Sequence, residues 1–186
     1  MDPFHLPGVP SREVRTRLTW LFVGIAVALL GAVAYWKVIR PDTATLKGAG
    51  MSVEVPRTWD GRTYWKPGLR VMQAASLRLS PQEDDADVGE ATVRRLGSRD
   101  IFISVWYLSD WPPAGGNGDA APLTLPPRIA RSDFGSFEGQ IGPSQAQLVG
   151  LIDGKLVQVR VLFGTRTPSE GQLAEANKVI ETLEIT

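Results

Sequence analysis

The sequence has no cysteine, and its one histidine is His5, near the N-terminus. The first absence excludes disulfides, thiol catalysis, Cys-ligated metals and a lipid-modified N-terminal Cys. The second removes from the rest of the chain the commonest general base and the commonest nitrogen ligand for metals. Net charge is missing too. The 20 basic residues balance 20 acidic ones, so no nucleic-acid partner is expected. Catalytic signatures are equally scarce. Gly135-Ser136-Phe137-Glu138-Gly139 has the wrong spacing for a nucleophile elbow. Gly150 to Lys155 (GLIDGK) is too short for a phosphate loop, and Leu156 stands where a magnesium-binding Ser or Thr belongs. Asp85-x-Asp87-x-Gly89 is a fragment of a calcium loop without its third ligand or closing Glu. Paired carboxylates could serve a glycoside hydrolase, but sequence alone places no such pair. The expectation is a protein that is not an enzyme and needs no cofactor or metal.

One long apolar run is present. Residues 18–36 (LTWLFVGIAVALLGAVAYW) carry no charge or side-chain amide, with Arg17 before them and Lys37 after. At ~1.5 Å per residue a helix of this length reaches roughly 28 Å, close to the ~30 Å hydrocarbon core. Trp20, Phe22, Tyr35 and Trp36 sit near its ends, where amphipathic rings favour the headgroup layer. The reading is a transmembrane signal-anchor over 18–39 that follows a short cytoplasmic tail (1–17) containing Arg12, Arg15 and Arg17. A linker (40–50) and an exported domain (51–186) come after it. The expected location is a cell membrane with the N-terminus cytoplasmic. Ala32-Val33-Ala34 also fits a signal-peptidase site, so the alternative is a cleaved signal peptide and an exported soluble domain. Gly24, Ala28 and Ala32 recur at four-residue spacing, a face on which two membrane helices can approach closely. The expected partners are therefore the lipid bilayer and a membrane protein.

The rest of the chain reads as strands and turns, in keeping with 19 glycines and 14 prolines. MSVEVP alternates as a half-buried strand that Pro56 stops, and Asp60-Gly61 and Pro67-Gly68 are turn signals. Residues 69–79 alternate again, 81–90 form an acidic loop, and 91–96 suggest a short helix. IFISVWYL (101–108) is apolar on both faces, as in a central strand covered on both sides. SQAQLVGLI and KLVQVRVLF flank Asp153-Gly154 as a hairpin. That register pairs Gly150 with Val157, Leu148 with Val159 and Ala146 with Val161 on one face, and sets Val149 and Gln147 against Gln158 and Arg160 on the other. A slip of one residue would turn Gln158 and Arg160 into the core. Thr167-Pro168-Ser169-Glu170 opens a last helix as a capping box, and LEIT closes the chain as a short strand.

This order predicts an α+β domain, one antiparallel sheet with a C-terminal helix packed on one face. MSVEVPRTW and ANKVIETLEIT resemble the opening and closing segments of PsbP-like α/β domains. That resemblance implies a non-enzymatic accessory or binding role and transfers no site residues. The candidate ligand or partner surface is aromatic: Trp59, Tyr64 and Trp65 in the first turn region, and Trp111 in the Pro- and Gly-rich loop after the central strand. The same rings could instead cap the sheet core. The expected function is an accessory, scaffolding or protein-interaction module in an envelope complex. The alternative is a tethered binder of a cell-wall glycan or small ligand.

Overall fold

The structure is a computed structural model that describes residues 22–23, 25–31, 42–81, 89–108, 120–135 and 142–186. The chain divides into two units, Met1–Asp42 and Thr43–Thr186. In the first, residues 22–23 and 25–31 are helical. Among the described residues no helix is long and apolar enough to cross a membrane. The expected N-terminal transmembrane helix over 18–39, and the single-pass signal-anchor description built on it, are corrected accordingly. Of the small-residue face, Ala28 is helical and exposed. Gly24 and Ala32 lie outside the described residues.

The second unit holds two antiparallel sheets, where one had been expected. The smaller has the order β1-β2-β8, from Thr43–Gly48, Met51–Pro56 and Glu184–Ile185. The larger has the order β3-β4-β5-β7-β6, from Asp60–Lys66, Leu69–Ala75, Ile101–Leu108, Lys155–Phe163 and Ser144–Ile152. Few helices accompany them: α1 (Glu90–Val93), a 3₁₀ turn (Arg131–Asp133) and α2 (Glu170–Ile180).

The chain changes sheets at Pro56. Its ring has no N–H to extend the ladder, and its carbonyl accepts from Trp59 N at 2.9 Å in a tight turn. Asp60-Gly61, expected as a turn, therefore already belongs to β3. The segment expected as a linker holds β1, paired with β2 from Thr43↔Pro56 to Gly48↔Met51. Backbone proximity seats β1 against β3. A Cβ on Gly48 would overlap the Thr63 hydroxyl, and one on Gly61 would meet Leu46 Cδ2 at 2.8 Å. At Gly48 any side chain would displace β-branched Thr63, whereas at Gly61 it would push on the flexible end of Leu46.

The β6–β7 hairpin has the expected register, with Gly150↔Val157, Leu148↔Val159 and Ala146↔Val161. Asp153 (φ 50°) and Gly154 (φ 76°) form its turn, both in the left-handed region that two-residue hairpins favour. β5 is the middle strand of the larger sheet and is buried on both faces except near its end. On one face Ile101, Ile103, Val105 and Tyr107 join Val157, Val159, Val161 and Phe163 in the main core. Met51, Val53 and Val55 of β2 and Leu173, Ala176, Val179 and Ile180 of α2 close over them. On the other face Phe102, Ala75 and Leu162 pack with Leu79 and Val93 in a smaller cluster.

α2 begins two residues later than expected. Ser169 is its N-cap: its Oγ accepts from Gln172 N at 3.2 Å, and its own N–H donates to Gln172 Oε1 at 3.0 Å. Both Thr167-x-x-Glu170 and Ser169-x-x-Gln172 fit the capping pattern, and the fold uses the second. From α2, buried Asn177 accepts from Ile129 N (2.8 Å) and donates to Ile129 O (3.0 Å). One amide thus replaces a strand neighbour for Ile129, whose side chain lies in the main core.

Two variants test these contacts. Gly48→Val should cost about 2–3 kcal/mol in urea unfolding through overpacking against Thr63, whereas exposed Lys47→Val should stay within about 0.5 kcal/mol. Equal effects would remove the close approach as their cause. Asn177→Ala should cost about 2–3 kcal/mol because it orphans both backbone groups of Ile129. A loss below about 0.5 kcal/mol would show that these groups find other partners.

Candidate functional site

The candidate aromatic residues do not converge. Trp59 is 8% exposed, belongs to the main core, and donates Nε1–H to Glu175 Oε1 at 3.3 Å. Tyr64 and Trp65 are consecutive in β3, so they point to opposite faces. Tyr64 is buried, and its hydroxyl accepts from Gln73 Nε2 at 3.2 Å. Trp65 is 64% exposed and faces its cross-strand neighbour Arg70, whose guanidinium lies 5.4 Å from the ring centroid. Trp111 lies outside the described residues. So do Asp85 and Asp87 of the calcium-like fragment. Among the described residues no group of three His, Cys, Asp or Glu side chains could hold a metal ion.

Trp65 is uncovered for a local reason. β1 covers its face of β3 as far as Gly61 and Thr63, then reverses at Ala49-Gly50, both with positive φ. Its cover ends one step before the ring.

The larger sheet brings together a second set of residues that the sequence reading did not single out as a site. Arg62, Gln73, Ser104, Arg160 and Gln147 stand opposite one another across β3, β4, β5, β7 and β6, on the face away from the main core. Arg62 Nε donates to Gln73 Oε1 at 2.7 Å. Arg160 Nη2 donates to Gln145 Oε1 at 3.1 Å, and Gln145 Nε2 donates to Gln147 Oε1 at 3.4 Å. Between these two runs the row is broken: Ser104 Oγ and Arg160 Nε are buried without a hydrogen-bond partner. Ser104 is 1% exposed. Burial lowers the pKa of Arg160 below the usual arginine range, because desolvation disfavours the charged form. This depression makes native stability rise with pH only in the alkaline window between the lowered folded pKa and the ordinary arginine value. At neutral pH the desolvation cost is fully present.

At the β3 end this row opens into a cavity of about 410 Å³ lined by Asp60, Arg62, Arg78, Ser80 and Arg95, among others. Ser80 organises it. Its N–H donates to buried Thr92 Oγ1 (2.9 Å), its carbonyl accepts from Arg62 Nη1 (2.5 Å), and its Oγ accepts from Arg95 Nη1 (3.1 Å). Asp60 is committed to the backbone, accepting from Gly61 N at 2.9 Å and Leu79 N at 3.0 Å.

Arginine, glutamine, serine and tyrosine do not titrate near neutral pH in their ordinary ranges. This row therefore offers fixed positive charge and hydrogen-bond donors, chemistry suited to binding and not to proton transfer. Two sequence signals pointed to it: Ser104 inside the otherwise apolar IFISVWYL, and Gln158 and Arg160 alternating through KLVQVRVLF.

No family model, curated protein or solved structure matches the chain. The resemblance of its two domain ends to PsbP-like domains stands on those residues alone.

The unpaired hydroxyl gives a signed prediction. Ser104→Ala should raise the stability of the protein by about 1 kcal/mol, since it removes a buried polar atom that satisfies nothing. A loss of about 1 kcal/mol or more in urea unfolding would mean that the hydroxyl is partnered.

Proposed function

We propose that residues 43–186 form a non-catalytic protein-interaction module, with the tip of the β3–β4 hairpin as its contact point. The observation that carries this reading is the exposed Trp65 stacked with Arg70. Tryptophan and arginine are the residues that most often anchor protein interfaces, and an exposed ring already held by a cation loses little freedom on binding. The adjoining turn, Pro67-Gly68, keeps the pair at the end of the edge strand β3, with β4 still paired to β5 beside it. The glycan alternative drew on Trp59, Trp65 and Trp111; Trp59 is buried and Trp111 lies outside the described residues, so among the described residues it keeps only Trp65.

A photo-crosslinking amino acid placed at position 65 of the full-length protein in its own cells tests the proposal. The expected result is one protein adduct in fixed ratio, absent when the probe stands at exposed Glu54 and abolished by Arg70→Ala. Trp65→Ala should change stability by at most about 1 kcal/mol, so a lost adduct cannot be ascribed to unfolding. No adduct from position 65, or the same adducts from both positions, would contradict the reading.

A further inference from the structure

We propose that the cavity beside β3 is a binding site for a phosphate monoester dianion. Among the described residues three guanidinium groups line it, from Arg62, Arg78 and Arg95, against one carboxylate, that of Asp60. Both oxygens of Asp60 are turned onto backbone N–H groups, so it acts as a clamp between β3 and residue 79. Among these described residues the balance is about +2, which matches a phosphate monoester, at about −1.5 to −2 at pH 7, better than it matches a single carboxylate.

The arrangement is built from the inside. Buried Thr92 fixes the Ser80 backbone, and Ser80 in turn holds Arg62 through its carbonyl and Arg95 through its hydroxyl oxygen. With its oxygen accepting from Arg95, the Ser80 O–H still has a proton to donate. Arg78 reaches the same cavity from two residues earlier on the chain and is exposed. Arginine forks present paired N–H donors in the geometry that a tetrahedral oxyanion accepts, and such charge-assisted bonds are stronger than neutral ones.

The experiment is calorimetric titration of the full-length protein in about 150 mM salt, which screens loose surface attraction. The probes are inorganic phosphate, O-phosphoserine and acetate. Saturable binding of both phosphates, at least about tenfold tighter than acetate, is expected. Arg78→Ala should weaken it about tenfold without changing the melting temperature, because Arg78 is exposed and makes no hydrogen bond or ion pair among the described residues. Arg95→Ala should weaken it to a similar degree, and exposed Arg166→Ala should leave it unchanged. Equal affinity for acetate, equal losses in the Arg78 and Arg166 variants, or no saturable binding of either the soluble phosphates or phosphatidic acid vesicles would overturn the proposal. The vesicles set the source of the phosphate: binding to them that depends on Arg78, with no heat from the soluble phosphates, assigns the monoester to a lipid headgroup.

Discussion

The domain depends on how closely β1 lies against β3. Strands in stacked sheets normally keep about 10 Å between backbones, a distance set by the side chains between them. Here Gly48 faces Thr63 and Gly61 faces Leu46, so each contact has a side chain on only one of its two strands. The contact holds the small sheet over the edge of the large one, and β2 then directs Met51, Val53 and Val55 into the main core beside α2. It also fixes what remains uncovered. The reversal at Ala49-Gly50 leaves Trp65 beyond the end of β1, so the same geometry that joins the sheets exposes the ring.

The larger sheet has two unlike faces, and β5 carries both. Towards α2 its residues are apolar and pack into a continuous core. On the other side an apolar patch of Phe102, Ala75 and Leu162 gives way to a polar row through Ser104 and Arg160. Burying a guanidinium beside an unpaired hydroxyl costs stability, so the apolar face and α2 must offset that cost. A polar row of this kind is a poor device for holding a fold and a suitable one for presenting hydrogen-bond donors. Its β3 end opens at Ser80 into the arginine-lined cavity, and its β6 end carries Gln147 and half-exposed Val149.

Much of the fold was legible in the sequence wherever a repeat of two or of three to four residues met a definite stop. Asp153-Gly154 fixed a hairpin whose register places Val157, Val159 and Val161 inward. MSVEVP and its proline marked β2, and the Leu173, Ala176, Ile180 stripe marked α2. TATLKG was not legible as β1 because its fit comes from a missing side chain, Gly48, and only Leu46 is apolar and inward. Two sheets were read as one because alternation shows which residues turn inward and not which strand they pair with. The candidate site was less legible. Trp59, Tyr64 and Trp65 are near neighbours in sequence, yet the Pro56 turn buries the first and strand alternation sends the other two to opposite faces. Arg62 and Arg95 meet through Ser80, and Arg78 lines the same cavity, a meeting of distant positions that no spacing rule reveals.

The most direct test of this account is native-state hydrogen exchange on the full-length protein, read residue by residue over 43–66. If β1 is seated on β3, those amides of Thr43–Gly48 that bond to β2 will exchange only through the opening that also frees Val53 and Val55. Their protection should fall together with that of β2 as urea is added. Exchange of residues 43–48 at the rate of an unstructured chain, while β2 stays protected, would return this segment to a linker and contradict the two-sheet architecture.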